Sequence, residues 1–188
     1  MPNTLAYLML LIWPLLAAAL FQKLPREKAL VWSILAAYML LPPLASFNLP
    51  GLPDIDKYTM SNVCALLLTV FYLNIWPGVM PANLIGKLLL VLFVASPFFT
   101  TITNPEPIKI LAGDVPALRF YDSAASVSYQ IIALFPFFLA RRLLASEEGM
   151  RALVTALVTA GLIYSLPMIL EARLSPQLNV WIYGFFAQ

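Results

Sequence analysis

The residues best suited to chemistry lie near the carboxyl end of the sequence. An acid, a guanidinium, a hydroxyl and an amide fall between 171 and 177, and two aromatic residues follow; together they are Glu171, Arg173, Ser175, Gln177, Trp181 and Tyr183. The planar guanidinium of Arg173 suits a phosphate group because it donates paired hydrogen bonds. The aromatic residues suit a membrane–water boundary, so an amphipathic interfacial segment is the plainer interpretation. Arg173, Gln177, Trp181 and Tyr183 are candidate substrate-binding residues.

Two further short stretches of the sequence contain closely spaced charged residues. Arg119-Phe120-Tyr121-Asp122 places an arginine and an aspartate around two aromatic residues. This group suits an interfacial anchor or a lipid head group, and Arg119 and Asp122 join the candidate binding residues. Asp54 and Asp56 are close enough to share a divalent cation, but no third ligand lies nearby. Solvated loop charges are the more ordinary interpretation of that pair.

Several kinds of site are excluded by what the chain lacks. With no histidine, it cannot form a Ser-His-Asp triad or a His-ligated metal site. The single cysteine, Cys64, excludes an internal disulfide and any multi-cysteine metal cluster. The net charge of +2 gives no reason to expect nucleic acid as a partner. We therefore assign no catalytic residue, no metal and no cofactor from the sequence.

The composition requires a membrane protein. Of the 188 residues, 62% are hydrophobic and 11% are charged, against about a quarter charged in an average soluble domain. The apolar residues come in runs of about 17 to 21, the length at which a helix crosses about 30 Å of hydrocarbon. We predict an all-α, polytopic transmembrane helix bundle forming a single membrane domain over residues 1–188. It has about six spans, at 5–21, 29–47, 58–76, 84–103, 122–140 and 151–170, before the interfacial segment 171–188.

Two stretches of small residues predict close helix packing. Ser61, Ala65 and Thr69 share one face of the third span, and Ala152, Ala156 and Ala160 share one face of the sixth. Small residues let transmembrane helices approach closely, whereas a functional pore face is the alternative. Span five opens with the polar stripe Ser123, Ser126 and Gln130. Its glutamine must find a hydrogen-bonding partner inside the membrane.

The basic residues predict the orientation. In alternating loops, seven lysines and arginines fall on one side and four on the other. The positive-inside rule then puts Arg141 and Arg142 in the cytoplasm, and Asp114, Arg173 and both termini outside.

The last segment, read as E-A-R-L-S-P-Q-L-N-V-W-I-Y-G-F-F over 171–186, resembles the O-antigen ligase and polymerase-like membrane proteins of bacterial envelope polysaccharide biosynthesis. Three further stretches resemble the same subfamily in the expected order: Leu52-Pro53-Asp54-Ile55-Asp56-Lys57, Arg119-Phe120-Tyr121-Asp122 and Leu139-Ala140-Arg141-Arg142-Leu143-Leu144. Relatives tend to carry histidine where Asn179 stands, so no role is carried over to that position.

The resemblance implies a GT-C glycosyltransferase of the bacterial inner (plasma) membrane. Such enzymes take a polyprenyl-pyrophosphate-linked glycan and transfer it at the outer face to another glycan, to the lipid A core of lipopolysaccharide, or to a protein. Members have about ten to fourteen spans and a large external loop in their second half. The chain then corresponds to the amino-terminal half, inactive alone, with the lipid bilayer, the lipid-linked glycan and the missing carboxyl-terminal spans as its partners.

A second function fits the size of the chain. Small membrane subunits that bind the substrate of a vitamin or metal transporter also have about six spans and about 190 residues. They need a coupling surface of small residues on the first span, and Ala17 to Ala19 supply a poor version of one. A structural membrane protein without a ligand is a third interpretation.

The predicted orientation can be tested by cysteine labelling. In a Cys64→Ala background, Asp114→Cys is expected to react with an impermeant maleimide in intact cells, because Asp114 lies in an external loop. Ser146→Cys is expected to stay unlabelled until the cells are opened. Labelling of Ser146→Cys but not Asp114→Cys would reverse the orientation.

Overall fold

The computed structural model describes residues 2–48, 53–110, 113–174 and 178–185. Helix α3 continues directly into a π-helical segment, Leu68–Tyr72, and two short antiparallel strands, β1 (Ile108–Ile110) and β2 (Gly113–Val115), lie between α4 and α5. The helices are α1 (Thr4–Lys23), α2 (Arg26–Leu40), α3 (Lys57–Leu67), α4 (Leu84–Thr103), α5 (Phe120–Leu143), α6 (Glu147–Leu174) and α7 (Leu178–Tyr183).

Four of these helices, α1, α4, α5 and α6, are long and apolar enough to cross a membrane. They lie where the first, fourth, fifth and sixth spans are predicted, and they identify a membrane protein. The prediction of about six spans is confirmed only to this extent. Helices α2 and α3 are shorter than the spans predicted at 29–47 and 58–76, because 41–47 and 73–76 lie outside the helices, so these two crossings stay a prediction.

The reasons for the two short helices are local. Helix α2 ends at Leu40, and Leu41 is extended, as expected for a residue before Pro42. Helix α3 has 11 residues, and its π-helical continuation has five. The chain then turns at Asn74, which has a positive φ of 55°. Asparagine tolerates this left-handed conformation better than most residues.

Side chains at the starts of the helices satisfy backbone donors that have no partner within the helix. Asn3 Oδ1 accepts a hydrogen bond from the Ala6 amide at 3.0 Å, and Asn83 Oδ1 accepts one from Gly86 at 3.2 Å. Helix α6 extends further than the sequence suggests, because Glu171 and Arg173 lie within its last turn rather than after it.

Helix α2 is central to the bundle. It packs against α1, α3 and α6, while α5 packs between α3 and α4. The small faces Ser61/Ala65/Thr69 and Ala152/Ala156/Ala160 are buried, which confirms their predicted packing role. Helix α4 packs mainly against α5, and none of its residues is buried.

One side of the bundle gathers the start of α1, the end of α2 and helix α7; we name it the α7 side. Asn3 donates hydrogen bonds to the carbonyls of Ile182 and Tyr183, both at 2.9 Å. The Tyr183 hydroxyl donates to the carbonyl of Leu40. The β-hairpin, the start of α3 and the start of α5 belong to the same side, because consecutive helices run in opposite directions. The Arg141 side is the opposite one.

Candidate functional site

Two prolines inside helices create a need for side-chain donors. Pro97 in α4 and Pro136 in α5 have no amide hydrogen, so the carbonyls four residues earlier, of Phe93 and Ile132, lose their helical partners. In a membrane such carbonyls must find other donors. Ser96 Oγ donates to the Phe93 carbonyl at 2.8 Å, and Asn62 Nδ2 donates to the Ile132 carbonyl at 3.3 Å.

Asn62 connects three helices through its side-chain amide. It is only 2% exposed, and its Oδ1 accepts hydrogen bonds from the Tyr38 hydroxyl of α2 at 2.9 Å and from Ser61 Oγ at 3.4 Å. Its Nδ2 donates to α5, as described above. All the polar atoms of this buried amide have partners, so Asn62 serves the packing of α2, α3 and α5.

A second set of polar contacts connects α4 to α5. Gln130 Nε2 donates to Ser96 Oγ at 3.3 Å, so the glutamine in span five finds the partner that its position requires. The hydroxyls of Ser123 and Thr101 bond to each other, and Ser123 Oγ also donates to the Pro97 carbonyl at 3.3 Å. These bonds join the half of α4 and the half of α5 that lie toward the α7 side.

Two polar cavities flank α5 on this side, and Gln130 lines both; together we name them the polar groove. The cavity between α4 and α5 has a volume of about 270 Å³ and is lined by Ser96, Pro97, Thr100, Thr101, Leu118, Asp122, Ser123, Ser126 and Gln130. The cavity between α3 and α5 has a volume of about 290 Å³ and is lined by Asp56, Tyr58, Thr59, Asn62, Tyr129, Gln130, Ile132 and Ala133. Hydroxyl and amide side chains are among the lining residues, although the exposed wall of the α3–α5 cavity is mostly apolar, and the charged residues among the described lining residues are acidic.

Two oxygen atoms of residues that line the α3–α5 cavity have no hydrogen-bonding partner among the described residues. They are Thr59 Oγ1 and Gln130 Oε1, and both atoms are buried. Thr59 is only 6% exposed. Because a buried acceptor without a partner costs free energy, both oxygens are suited to a ligand that donates hydrogen bonds.

The two carboxylates of the groove are tied to the backbone. Asp56 Oδ1 accepts from the Thr59 amide at 2.8 Å and caps α3, and Asp122 Oδ2 accepts from the Arg119 amide at 2.7 Å and holds the start of α5. Within the part of the chain that the structure describes, no group of three acidic or thiol side chains is placed to hold a metal. The Asp54–Asp56 pair therefore has a structural role: Asp54 Oδ1 accepts from Asn48 Nδ2 at 2.9 Å.

The predicted binding residues fall into separate groups. Asp122 lines the groove, whereas Arg119 is exposed at the start of α5, and its guanidinium makes no ion pair with a described residue. Arg173 is exposed in the last turn of α6, which packs against α2 rather than α5. It makes no ion pair with Glu171 or with another described residue. Gln177 lies outside the described residues.

The aromatic candidates both belong to α7. Trp181 is 61% exposed and free to contact lipid or ligand. Tyr183 is half-buried, and its ring stacks on Phe185 with the centroids 6.2 Å apart. Burial, and secondarily the neighbouring Tyr164, raises the pKa of Tyr183, so its hydroxyl stays protonated and donates to Leu40. Tyr183 therefore anchors α7 to the bundle, while Trp181 remains available.

The sequence interpretation missed the part of the groove that α3 and α4 supply. These residues are Thr59, Asn62, Ser96, Thr100 and Thr101. A signal was available: Ser96 directly precedes Pro97, and Thr100 and Thr101 lie one turn later on the same helix. A sequence pattern shows which residues share a face of one helix, but it does not show which helix that face meets.

No family model, curated protein or solved structure matches the chain at a significant level. The function therefore has to be argued from the groove and the sequence patterns.

The packing role of Asn62 can be tested by a double-mutant cycle. Asn62→Ala is expected to lower the free energy of unfolding by about 1 to 3 kcal/mol, because it leaves the Tyr38 hydroxyl and the Ile132 carbonyl without this partner. Tyr38→Phe is expected to cost less. The double variant is expected to show a coupling of about 0.6 kcal/mol, measured by unfolding in mixed detergent micelles.

The matched control pairs Tyr38→Phe with Asn104→Ala. Asn104 is an exposed asparagine at the end of α4 that bonds only within its own helix region. This pair should be additive. Additivity in the Asn62–Tyr38 pair would refute the proposed connection between α2 and α3.

Proposed function

We propose that the chain is the amino-terminal part of an O-antigen ligase/polymerase-like glycosyltransferase, and that the polar groove binds the glycan of its polyprenyl-pyrophosphate-linked donor. The observation that carries the proposal is a pair of buried oxygens without a described partner, Thr59 Oγ1 and Gln130 Oε1, on two residues that line one cavity. Sugar hydroxyls donate the hydrogen bonds that these oxygens lack. The resemblance of the sequence to this family supplies the donor class.

The charges around the groove suit different parts of the lipid-linked glycan, the sugar and the pyrophosphate, at two different places. The groove is lined by the carboxylates of Asp56 and Asp122, which repel a pyrophosphate but accept hydrogen bonds from sugar hydroxyls. Arg119 begins α5 beside Leu118, a residue that lines the groove. Its exposed guanidinium is available to the pyrophosphate at the groove rim, where positive charge stabilises a departing pyrophosphate.

The proposal also includes six membrane crossings. Helix α2 and the α3–π segment, at 15 and 16 residues, are about 22 to 24 Å long, somewhat less than the hydrocarbon core. Each nevertheless connects the two sides of the bundle, since α2 follows the end of α1 and reaches Leu40, which contacts Tyr183 of α7. The flanking segments 41–47 and 73–76 complete these two crossings.

By the positive-inside rule, we expect the groove on the outer face of the bacterial inner membrane. That is the face on which enzymes of this type transfer glycans. The downstream spans of the same protein are the proposed partner, and they supply the acceptor site and the remaining positive charge. The chain alone supplies scaffold and one wall of the donor site.

Binding of a lipid-linked sugar tests the groove. We expect a short-chain polyprenyl-pyrophosphate-linked disaccharide to bind the chain in nanodiscs, and Gln130→Leu and Thr100→Val to weaken it about two- to twelve-fold each. That range corresponds to losing one hydrogen bond. The affinity can be measured by ligand-induced changes in tryptophan fluorescence or by native mass spectrometry.

Thr155→Val is the matched control, because Thr155 is an exposed threonine of α6 far from the groove lining. It should leave the affinity unchanged. The same polyprenyl pyrophosphate without sugar should bind more weakly than the glycan-linked form. Equal binding of both forms, or tight binding of a vitamin in their place, would contradict a glycan site and favour the transporter function.

The role of Arg173 is tested by measuring glycan-transfer activity. In the full-length protein, Arg173→Ala is expected to lower glycan transfer per molecule roughly ten- to hundred-fold, as expected for losing a charge-assisted bond to phosphate in the transition state. Arg173→Lys should recover part of the activity, because lysine keeps the charge but lacks the planar fork.

Arg151→Ala is the control, since Arg151 is an exposed arginine at the opposite end of α6. Its Nη2 atom lies 3.6 Å from Oε1 of Glu147. Transfer in this variant should equal that of the unmodified protein. Unchanged transfer per molecule in Arg173→Ala, or a loss explained by a lower protein level, would remove Arg173 from the site.

A further inference from the structure

A separate cleft lies between α4 and α5 toward the Arg141 side. Its volume is about 610 Å³, and its walls are mostly apolar, with Leu89, Leu90 and Phe93 from α4 facing Leu134 and Phe137 from α5. Both sets of residues repeat at helical spacing, so the cleft follows the two helices along their length. Its shape and lining suit an extended hydrocarbon chain.

One charged group lines this cleft. The Arg141 guanidinium lies 5.5 Å from the centre of the Phe137 ring, and both residues are lining residues. The ring holds the cation by a cation–π interaction. Arg141 makes no ion pair with a described residue, and no acidic residue lines the cleft. A cation at the end of an apolar cleft between membrane helices calls for an anion attached to a hydrocarbon chain.

A second apolar cavity, of about 430 Å³, shares Leu90 and Leu134 with the cleft. The α4–α5 contact therefore offers two apolar cavities, and these two leucines line both. A lipid with two acyl chains can use both. A free phosphate ion would gain nothing from either cavity.

We propose that the cleft binds an anionic phospholipid from the leaflet at the Arg141 side, with its phosphodiester on Arg141 and an acyl chain between α4 and α5. The lipid covers a helix contact in which α4 has no buried residue of its own. It therefore also secures α4, whose main packing partner is α5. This site shares α4 and α5 with the proposed glycan site but none of its lining residues.

Lipid binding to the chain, measured by native mass spectrometry with phosphatidylglycerol or phosphatidylcholine, tests the site. We expect phosphatidylglycerol to bind more tightly, and Arg141→Gln to lower its affinity about five-fold, the effect of one arginine near an anionic lipid. Phe137→Leu is expected to lower it less, because it removes the aromatic support and leaves the charge. Leu89→Trp, which fills the cleft, should weaken both lipids.

Arg142→Gln is the matched control, because it removes the same charge from the next residue, which does not line the cleft. Its affinity for phosphatidylglycerol should stay unchanged. An equal loss in Arg142→Gln and Arg141→Gln would overturn the site in favour of diffuse surface attraction. Equal binding of the two lipids would overturn the site as well. Binding of inorganic phosphate as tight as that of phosphatidylglycerol would also overturn it.

Discussion

Prolines inside four of the described helices each free a carbonyl group, and two of these carbonyls lie at the contacts that α5 makes with α3 and α4. Pro97 and Pro136 free the carbonyls of Phe93 and Ile132, and Ser96 and Asn62 supply the replacement donors. A membrane has no water to solvate such groups, so the replacements must come from the protein. Once Asn62 and Ser96 are committed to these carbonyls, their own remaining polar atoms recruit Tyr38 and Gln130. The contacts of α3 with α5, and of α4 with α5, both follow from this requirement.

The same requirement separates structural from functional polar residues. The Asn62 amide is buried, and all of its polar atoms are used in packing. Gln130 forms a described hydrogen bond through Nε2 but not through Oε1, and Thr59 Oγ1 has no described partner. In the proposed site, hydroxyl groups of the glycan donate to these two oxygens. The proposed glycan site therefore occupies the part of the polar network that packing leaves incomplete.

Helix α5 joins the two proposed sites because its face toward α4 changes character along its length. Ser123, Ser126 and Gln130 line the polar end, and Leu134, Phe137 and Arg141 line the apolar end. Since α4 packs mainly against this helix, a ligand at either end contacts the same pair of helices. A phospholipid that secures α4 at the Arg141 side would also stabilise the walls of the groove at the α7 side.

The sequence by itself determined the membrane class, the four long helices and the burial of the two small faces, because run length and helical spacing are local properties of the chain. It also indicated the polar stripe of α5. It predicted that the second and third spans continue past Leu40 and Tyr72, where hydropathy continues but the helices do not. Only the tertiary structure decided that Asn62 donates to a carbonyl of α5, that Gln130 donates to Ser96 of α4, and that Arg173 and Asp122 belong to different helix pairs. Those outcomes depend on which helices meet, and a pattern along one helix carries no information about the helix it faces.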